Sequence, residues 1–307
     1  MAKEFVHVPV LLNEVVQSFA LQKNDLFLDC TLGGAGHAKA LLEKYPQISE
    51  YFGIDQDAEA LAAAKRELKS FKKVNYVHSN FKDAVKSLEE HAGKFGGILV
   101  DLGVSSYQID NEERGFSFQK DGKLDMRMNT ENEFSAWSVV NGYSEKTLAD
   151  IIFKYGEEKE SRRIAAAIVA RREKGSIETT LQLQQIVASS VRGDAKKAVQ
   201  KVFQAIRIEV NGELDGLGEF VKDAFSLLRK GGRLAIISFH SLEDRIVKNA
   251  YQDLARGCIC PPSFPVCVCG HIPEGKILTK KPVEATEEEL KLNRRSSSAK
   301  LRVIEKL

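Results

Sequence analysis

The stretch Asp29-Cys30-Thr31-Leu32-Gly33-Gly34-Ala35-Gly36-His37 lies between a short apolar run, Leu26-Phe27-Leu28, and a helical pattern from Ala38 to Glu43. A strand, a glycine-rich turn and a helix in unbroken succession leave few folds open. Glycine admits positive φ and lets a ligand approach the backbone with no Cβ in the way. The first turn of the helix aims unpaired N–H groups and the positive end of its dipole at that ligand, which favours phosphate or carboxylate. Ordinary tight turns look much the same. The added weight comes from Tyr51-Phe52-Gly53-Ile54-Asp55, a second apolar run ending in an acid at the spacing of a ribose-binding carboxylate. The rest of the chain reads as machinery around a nucleoside site.

The 307 residues have room for one large domain and a smaller one. Composition, 43% hydrophobic and 29% charged, is that of an ordinary globular protein. No apolar run approaches the roughly 18–20 residues of a membrane span. No basic-then-apolar leader pattern opens the sequence, so a cytosolic location is expected. The net charge of +2, from 45 Lys+Arg against 43 Asp+Glu, does not announce a nucleic-acid binder, so such a role needs local basic patches. Five cysteines, four of them between Cys258 and Cys269, do not form the pattern of a secreted disulfide framework.

In chain order, Phe5 to Val16 reads as a segment packing over a sheet, with His7 structural rather than catalytic. Ala58 to Leu68 reads as a helix and Val74 to Val77 as a third strand. Phe81, just past that strand, suits either an adenine ring or the core. The run Gly97-Ile98-Leu99-Val100-Asp101 has the character of a buried parallel strand opening onto a site. Alternating strands and helices predict a doubly wound α/β domain that binds beyond the carboxyl ends of its strands.

That rhythm breaks after Asp101. Residues 108–206 carry little strand pattern and are expected to form an inserted helical subdomain, with residues 1–107 and 207–307 making the main domain. Ser161 to Lys174 and Leu181 to Val191 are two of its helices. Arg162, Arg163, Arg171, Arg172, Lys174, Lys196, Lys197 and Lys201 are the best local basic surface, read either as an RNA contact or as a solvated face. Ile208 to Arg229 is expected to be one helix, stopped by Gly231-Gly232. A strand, Arg233 to Phe239, follows, then His240 and a helix capped by Ser241 or Asp244. Lys276–Thr279 and Leu301–Ile304 supply two last strands.

Taken together, HVPVLLNE, DCTLGGAGH, DLGVSSYQID with ERGFSF and LDMRM, YGEEKESRRIA, FQAIRIEVNGEL, KGGRLAIISFHSLEDRIVK and SSAKLRV resemble the bacterial 16S rRNA (cytosine-N4)-methyltransferases over nearly the whole chain. The resemblance implies a class I S-adenosylmethionine-dependent methyltransferase fold: a Rossmann-like, mostly parallel seven-stranded sheet with a helical insertion for rRNA. It implies one cytidine in the P-site region of 16S rRNA as substrate, within the 30S subunit or a late precursor. Carried over by motif, the cofactor contacts are Gly34, Ala35, Gly36, His37, Asp55, Phe81, Asp101 and Gln108. The sequence departs from the family in one place: the pattern N-P-R-A-R-S-A-K-L-R is here Asn293-Arg294-Arg295-Ser296-Ser297-Ser298-Ala299-Lys300-Leu301-Arg302, where Arg294 can replace a lost charge.

Chemistry narrows the alternatives. A nicotinamide dehydrogenase would place Asp29 beside a pyrophosphate, where it repels, whereas a sulfonium or α-amino group would attract it. The turn also reads GGAGH rather than G-x-G-x-x-G. Methyl transfer to an exocyclic amine is an in-line displacement governed by positioning. The candidate proton acceptors are Asp101 and the carbonyls of its loop, with Ser105 or Ser106 assisting and His240 orienting the base or taking the proton. Loop 101–106 holds no aromatic, so Phe239-His240, with Trp137 or Phe116 as a lid, would hold the cytosine. No cysteine lies in the loop after the fourth strand, where it would attack a pyrimidine ring, which argues against covalent catalysis. Ser238, His240 and Asp244 suggest a hydrolase triad only weakly, without a G-x-S-x-G elbow. A non-enzymatic RNA-binding or assembly protein is the remaining class. Cys258-x-Cys260 and Cys267-x-Cys269, near His271, admit either a zinc site or a reduced cysteine-rich loop. Cys30 is expected to be a buried, small apolar residue.

Overall fold

The structure, a computed structural model, describes residues 9–261 and 264–307; His7 lies outside them. The chain separates into two compact units, one ending at Gly103 and resuming as Gly216–Leu307, the other Val104–Asp215.

The first unit holds the strands β1 (Leu26–Asp29), β2 (Glu50–Asp55), β3 (Val74–His78), β4 (Phe95–Asp101), β5 (Leu228–Ser238), β6 (Gly275–Ile277) and β7 (Lys300–Lys306). Helices are α1 (Leu12–Ser18), α2 (Gly36–Lys44), α3 (Ala58–Glu67), α4 (Phe81–Ser87), α5 (Ser106–Asp110), α6 (Ala136–Gly142), α7 (Glu145–Gly156), α8 (Ser161–Arg172), α9 (Thr180–Ser190), α10 (Ala195–Asn211), α11 (Leu217–Leu227), α12 (Ser241–Leu254) and α13 (Glu287–Leu292). The sheet order is β3-β2-β1-β4-β5-β7-β6. Among these strands only β7 runs against the others, pairing antiparallel with both β5 and β6. This is the mostly parallel seven-stranded sheet of the class I methyltransferase fold.

Period-two alternation explains how the sheet is covered on both sides. Leu26, Leu28, Phe52, Ile54, Ile98 and Val100 share one core with residues of α4, α11 and α12. Phe27, Tyr51, Leu99, Ala235 and Ile237 face the other way, against α1, α2 and α3. Cys30 is buried with the first set. Strand order reverses direction between β1 and β4, so the turns leaving their carboxyl ends diverge and open a crevice there.

One local expectation is corrected. Ile208 to Arg229 is not a single helix: Gly212 (φ 55) and Gly216 (φ 66), both left-handed, end α10 and begin α11. Gly231-Gly232 lies inside β5, where the register against β4 slips between Phe95 and Gly97. A Cβ on Gly232 would come within 2.7 Å of the Phe95 carbonyl oxygen, so these glycines shape a bulge in the strand rather than stopping a helix.

The second unit is helical. Helices α5 to α10 fall within it, and Ile152, Ile164, Ile168, Leu183, Val202 and Phe203 lie in its core. The LDMRM stretch is pinned there by Asn211, whose side chain donates to Met126 O and accepts from Met128 N, each at 2.8 Å. Arg114 reaches the same loop, donating to the carbonyls of Arg127 and Met128 at 3.0 Å. Arg172 donates to the carbonyls of Val140 (2.7 Å) and Tyr143 (2.6 Å), tying α8 to the end of α6. It therefore leaves the candidate basic surface. Lys201 is likewise engaged, with Glu158 and the Glu157 carbonyl. Arg162, Lys174 and Lys196 remain exposed. Among the described residues no helix is long and apolar enough to cross a membrane.

Candidate active site

The turn after β1 is built by backbone geometry. Gly33 (φ 51) and Ala35 (φ 64) take left-handed conformations, and the chain enters α2 with no side-chain cap on its first N–H groups. A Cβ on Gly36 would run into the ring of Pro9, and one on Gly53 would crowd Leu32 at 2.7 Å, so both glycines serve packing. Gly34 differs: a Cβ there would meet nothing within 4 Å, which leaves its backbone open to a ligand.

Three strands end in acids around this turn. The Asp55 carboxylate, at the end of β2, accepts from Gly33 N (2.8 Å) and Asp57 N (2.9 Å), fixing the glycine turn to the neighbouring strand. Loss of surrounding water raises its pKa, and these N–H donors partly offset the rise. The Gln56 backbone N–H is a third donor to the carboxylate, and of its roughly four lone-pair sites one remains for a hydroxyl. Asp29, at the end of β1, is 1% exposed, accepts from the Tyr51 hydroxyl at 2.8 Å, and is pushed up to about 7 by burial. Asp101, at the end of β4, is pushed up to about 8, by burial first and then by the negative charges of Asp29 and Glu243. Its backbone N–H donates to Thr31 Oγ1 at 2.6 Å, so the turn after β1 also positions β4's end.

Asp101 Oδ1 is buried and has no hydrogen-bond partner, although a quarter of the side chain remains exposed. A buried acceptor without a donor is costly to leave unmade. His37 Nε2 donates to the Val10 carbonyl at 2.9 Å, which turns Nδ1 toward Asp101 Oδ2, 3.9 Å away. Asp29, Asp101 and Glu243 together make a locally acidic site, suited to a cation and to accepting a proton near neutral pH.

His240, not Ser241 or Asp244, caps α12. Its Nδ1 faces Glu243 N at 3.4 Å, while Glu243 Oε2 accepts from Phe239 N (2.9 Å) and His240 N (3.3 Å). His240 Nε2 lies 3.2 Å from Glu243 Oε1 but off the line of a hydrogen bond. Glu243, 1% exposed, was missed in the sequence; H-x-x-E at the start of a helix is the signal that points to it. The hydrolase reading fails on geometry. Asp244 is held by Arg302 at 2.6 and 3.0 Å, and Ser238 Oγ lies 3.5 Å from the Lys300 carbonyl.

The remaining candidates divide between the units. Phe81 opens α4 half-buried, its ring edge-on to Phe220 at 4.6 Å, so core packing already uses part of it. Ser105 and Gln108 belong to the helical unit, where Ser105 N donates to Gln108 Oε1 (3.0 Å) and Gln108 N to Ser105 Oγ (3.2 Å). That reciprocal pair is a capping box for α5. Phe116 packs on the same unit's core, and Trp137 is 43% exposed with its indole N–H on Glu178. The side chain of Ser106 is outside those described.

The sequence is 50% identical over 308 residues to Ribosomal RNA small subunit methyltransferase H of Clostridium botulinum strain Loch Maree, covering 99% of this chain and 100% of that protein. It is 49% identical, with the same coverage, to the protein of that name from strain 657. A solved rRNA methylase from Streptococcus thermophilus is a much looser likeness, at 10% identity and a TM-score of 0.39 over 100% of this chain and 99% of that one. The sequence profile of the MraW methylase family matches residues 4–307, and with relatives this close over their full length the chain belongs to that family.

Proposed function

We propose that this protein transfers a methyl group from S-adenosylmethionine to the exocyclic N4 amine of one cytidine in the P-site region of 16S rRNA, in the 30S subunit or a late precursor. The observation that carries the reading is Asp101, a strand-end carboxylate with an unpartnered buried oxygen beside an open glycine turn. S-adenosylmethionine, when bound, supplies an electrophilic methyl on a sulfonium. Gly34, Gly36 and His37 would take its carboxylate end on backbone N–H groups, while Ala35, whose N–H donates to the Leu32 carbonyl at 2.8 Å, would hold the turn in shape around it. Asp55 would take the ribose hydroxyls, and Phe81 the adenine. Asp29 favours the cationic end. Gln108 enters through the motif alone.

The cytosine amine is a weak nucleophile, because its lone pair is shared with the ring. Asp101 Oδ1 would accept one of its hydrogens, encourage the pyramidal geometry that attack needs, and take the released proton. A carboxyl group raised to about 8 is well matched to that task near neutral pH. His240 would orient the base, and Ser105 enters as an assisting group through the motif alone. No covalent intermediate is required. The helical unit, with exposed Arg162, Lys174 and Lys196, would recognise RNA. Incubating the protein with labelled S-adenosylmethionine and naked 16S rRNA, 30S subunits or 70S ribosomes tests the reading: transfer to 30S subunits is expected, and no transfer to any of them contradicts it.

The same geometry bears on cofactor binding. Asp55→Ala removes the ribose acceptor and frees Gly33 N, so calorimetry should show S-adenosylmethionine affinity falling by about tenfold or more. Unchanged affinity would exclude Asp55 from the site. A cation also favours the ionised forms of Asp29 (about 7) and Asp101 (about 8), so cofactor binding should release protons and tighten as pH rises from about 6 to 8. Titrations in buffers of different ionisation enthalpy read the proton release. Affinity that is flat across this range would show that neither carboxylate senses the ligand.

A further inference from the structure

We propose that Cys258, Cys260, Cys267 and Cys269 hold one zinc ion in a tetrathiolate site that fixes the segment between α12 and β6. The sulfur atoms of all four lie within 4.8 Å of one another, with Cys267 to Cys269 at 3.6 Å and Cys258 to Cys269 at 3.8 Å. A tetrahedral ion with bonds of about 2.3 Å sets its sulfurs about 3.8 Å apart. A disulfide would need about 2.05 Å.

The backbone around the sulfurs is organised in the same sense. In each C-x-C segment the middle residue donates its N–H to a sulfur of the other segment: Ile259 N to Cys269 Sγ at 3.5 Å, and Val268 N to Cys260 Sγ at 3.4 Å. Two more N–H groups reach a sulfur two residues back, Cys260 N to Cys258 Sγ and His271 N to Cys269 Sγ, both at 3.4 Å. This cross-bracing makes a near two-fold arrangement around the point where the ion would sit. The donors also spread the negative charge that four thiolates would concentrate there. His271 is not part of the cluster, whose mutually close donor atoms are the four sulfurs alone; its Nδ1 donates to the Gly257 carbonyl at 2.6 Å.

Burial does not account for the cluster. Cys258, Cys267 and Cys269 are exposed, and Val266, Val268 and Ile272 nearby are 70%, 73% and 76% exposed. With these apolar side chains turned to solvent, chemistry at the cysteines has to hold the segment. Soft thiolate donors in a tetrahedral S₄ set select zinc. On binding, four Zn–S bonds form, the four thiol protons pass to solvent, and the centre carries a net charge of −2.

The test uses the full-length protein, reduced and purified from zinc-supplemented medium. Elemental analysis should find one zinc per chain. Exchange with cobalt(II) should give thiolate-to-metal charge transfer and the intense visible bands of a tetrahedral sulfur site. In a C260S/C267S variant both signals should disappear and protease should cut between Leu254 and Gly275, while the thermal transition of the rest of the chain persists. Absence of metal after incubation of the reduced protein with equimolar zinc chloride, equal metal retention by the variant, or iron in place of zinc would each overturn the proposal.

Discussion

Asp101→Asn is expected to slow single-turnover methyl transfer on saturating ribosomal substrate by about 10²–10⁴-fold, the usual worth of a positioned proton acceptor. The substitution keeps the shape of the side chain and the Asp101 N–H bond to Thr31, so the turn after β1 should hold its form. It removes both the charge that would steady the sulfonium and the oxygen that would receive the amine proton. The rise of rate with pH attributed to this group should vanish with it. A wild-type single-turnover rate in Asp101→Asn would move proton handling to the loop carbonyls or to His240.

The second large effect concerns the helical unit, and it separates two kinds of arginine. Arg172→Glu should destabilise that unit by about 3 kcal/mol or more, because two charge-assisted hydrogen bonds to the Val140 and Tyr143 carbonyls disappear and a carboxylate is set against them. Exposed Arg162 and Lys196 should behave oppositely. Reversing both should change stability by only about 0.5 kcal/mol. It should also lower the salt dependence of RNA binding by about 0.7–0.9 in log–log slope for each phosphate that is no longer neutralised. Thermal unfolding and filter binding across a salt series measure the two quantities. A stable Arg172→Glu protein would refute its structural role, and an unchanged slope in the double reversal would return Arg162 and Lys196 to a solvated face.

The parts of the candidate site legible in the sequence are those written in local pattern. Asp55 and Asp101 each break an apolar run at its end, and that break marks both a strand terminus and the polar mouth of a parallel sheet. Asp29 stood out because it precedes glycines. The sheet was legible for the same reason, as runs such as Ile98-Leu99-Val100 have no exposed face to encode. What stayed hidden depends on partners far along the chain. Gly231-Gly232 has the look of a helix stop, yet it is a bulge because the Phe95 carbonyl leaves room for no Cβ. In the sequence Arg172 is indistinguishable from its neighbours Arg162 and Arg171, and only the two carbonyls at the end of another helix set it apart. Glu243 looked like an ordinary acid in the first turn of a helix. Its role in capping His240 and raising Asp101 appears only when β4 and β5 lie side by side.

Transfer to the amine of a cytidine is tested most directly by the chemical identity of the product. After methylation of 30S subunits with labelled S-adenosylmethionine, the 16S rRNA is digested to nucleosides, and the labelled species is identified by chromatography and mass fragmentation. Label is expected to appear in N4-methylcytidine at one position, and to accumulate there about 10²–10⁴-fold more slowly with Asp101→Asn. Label in 5-methylcytidine, or in a purine or a ribose, would contradict the proposed reaction.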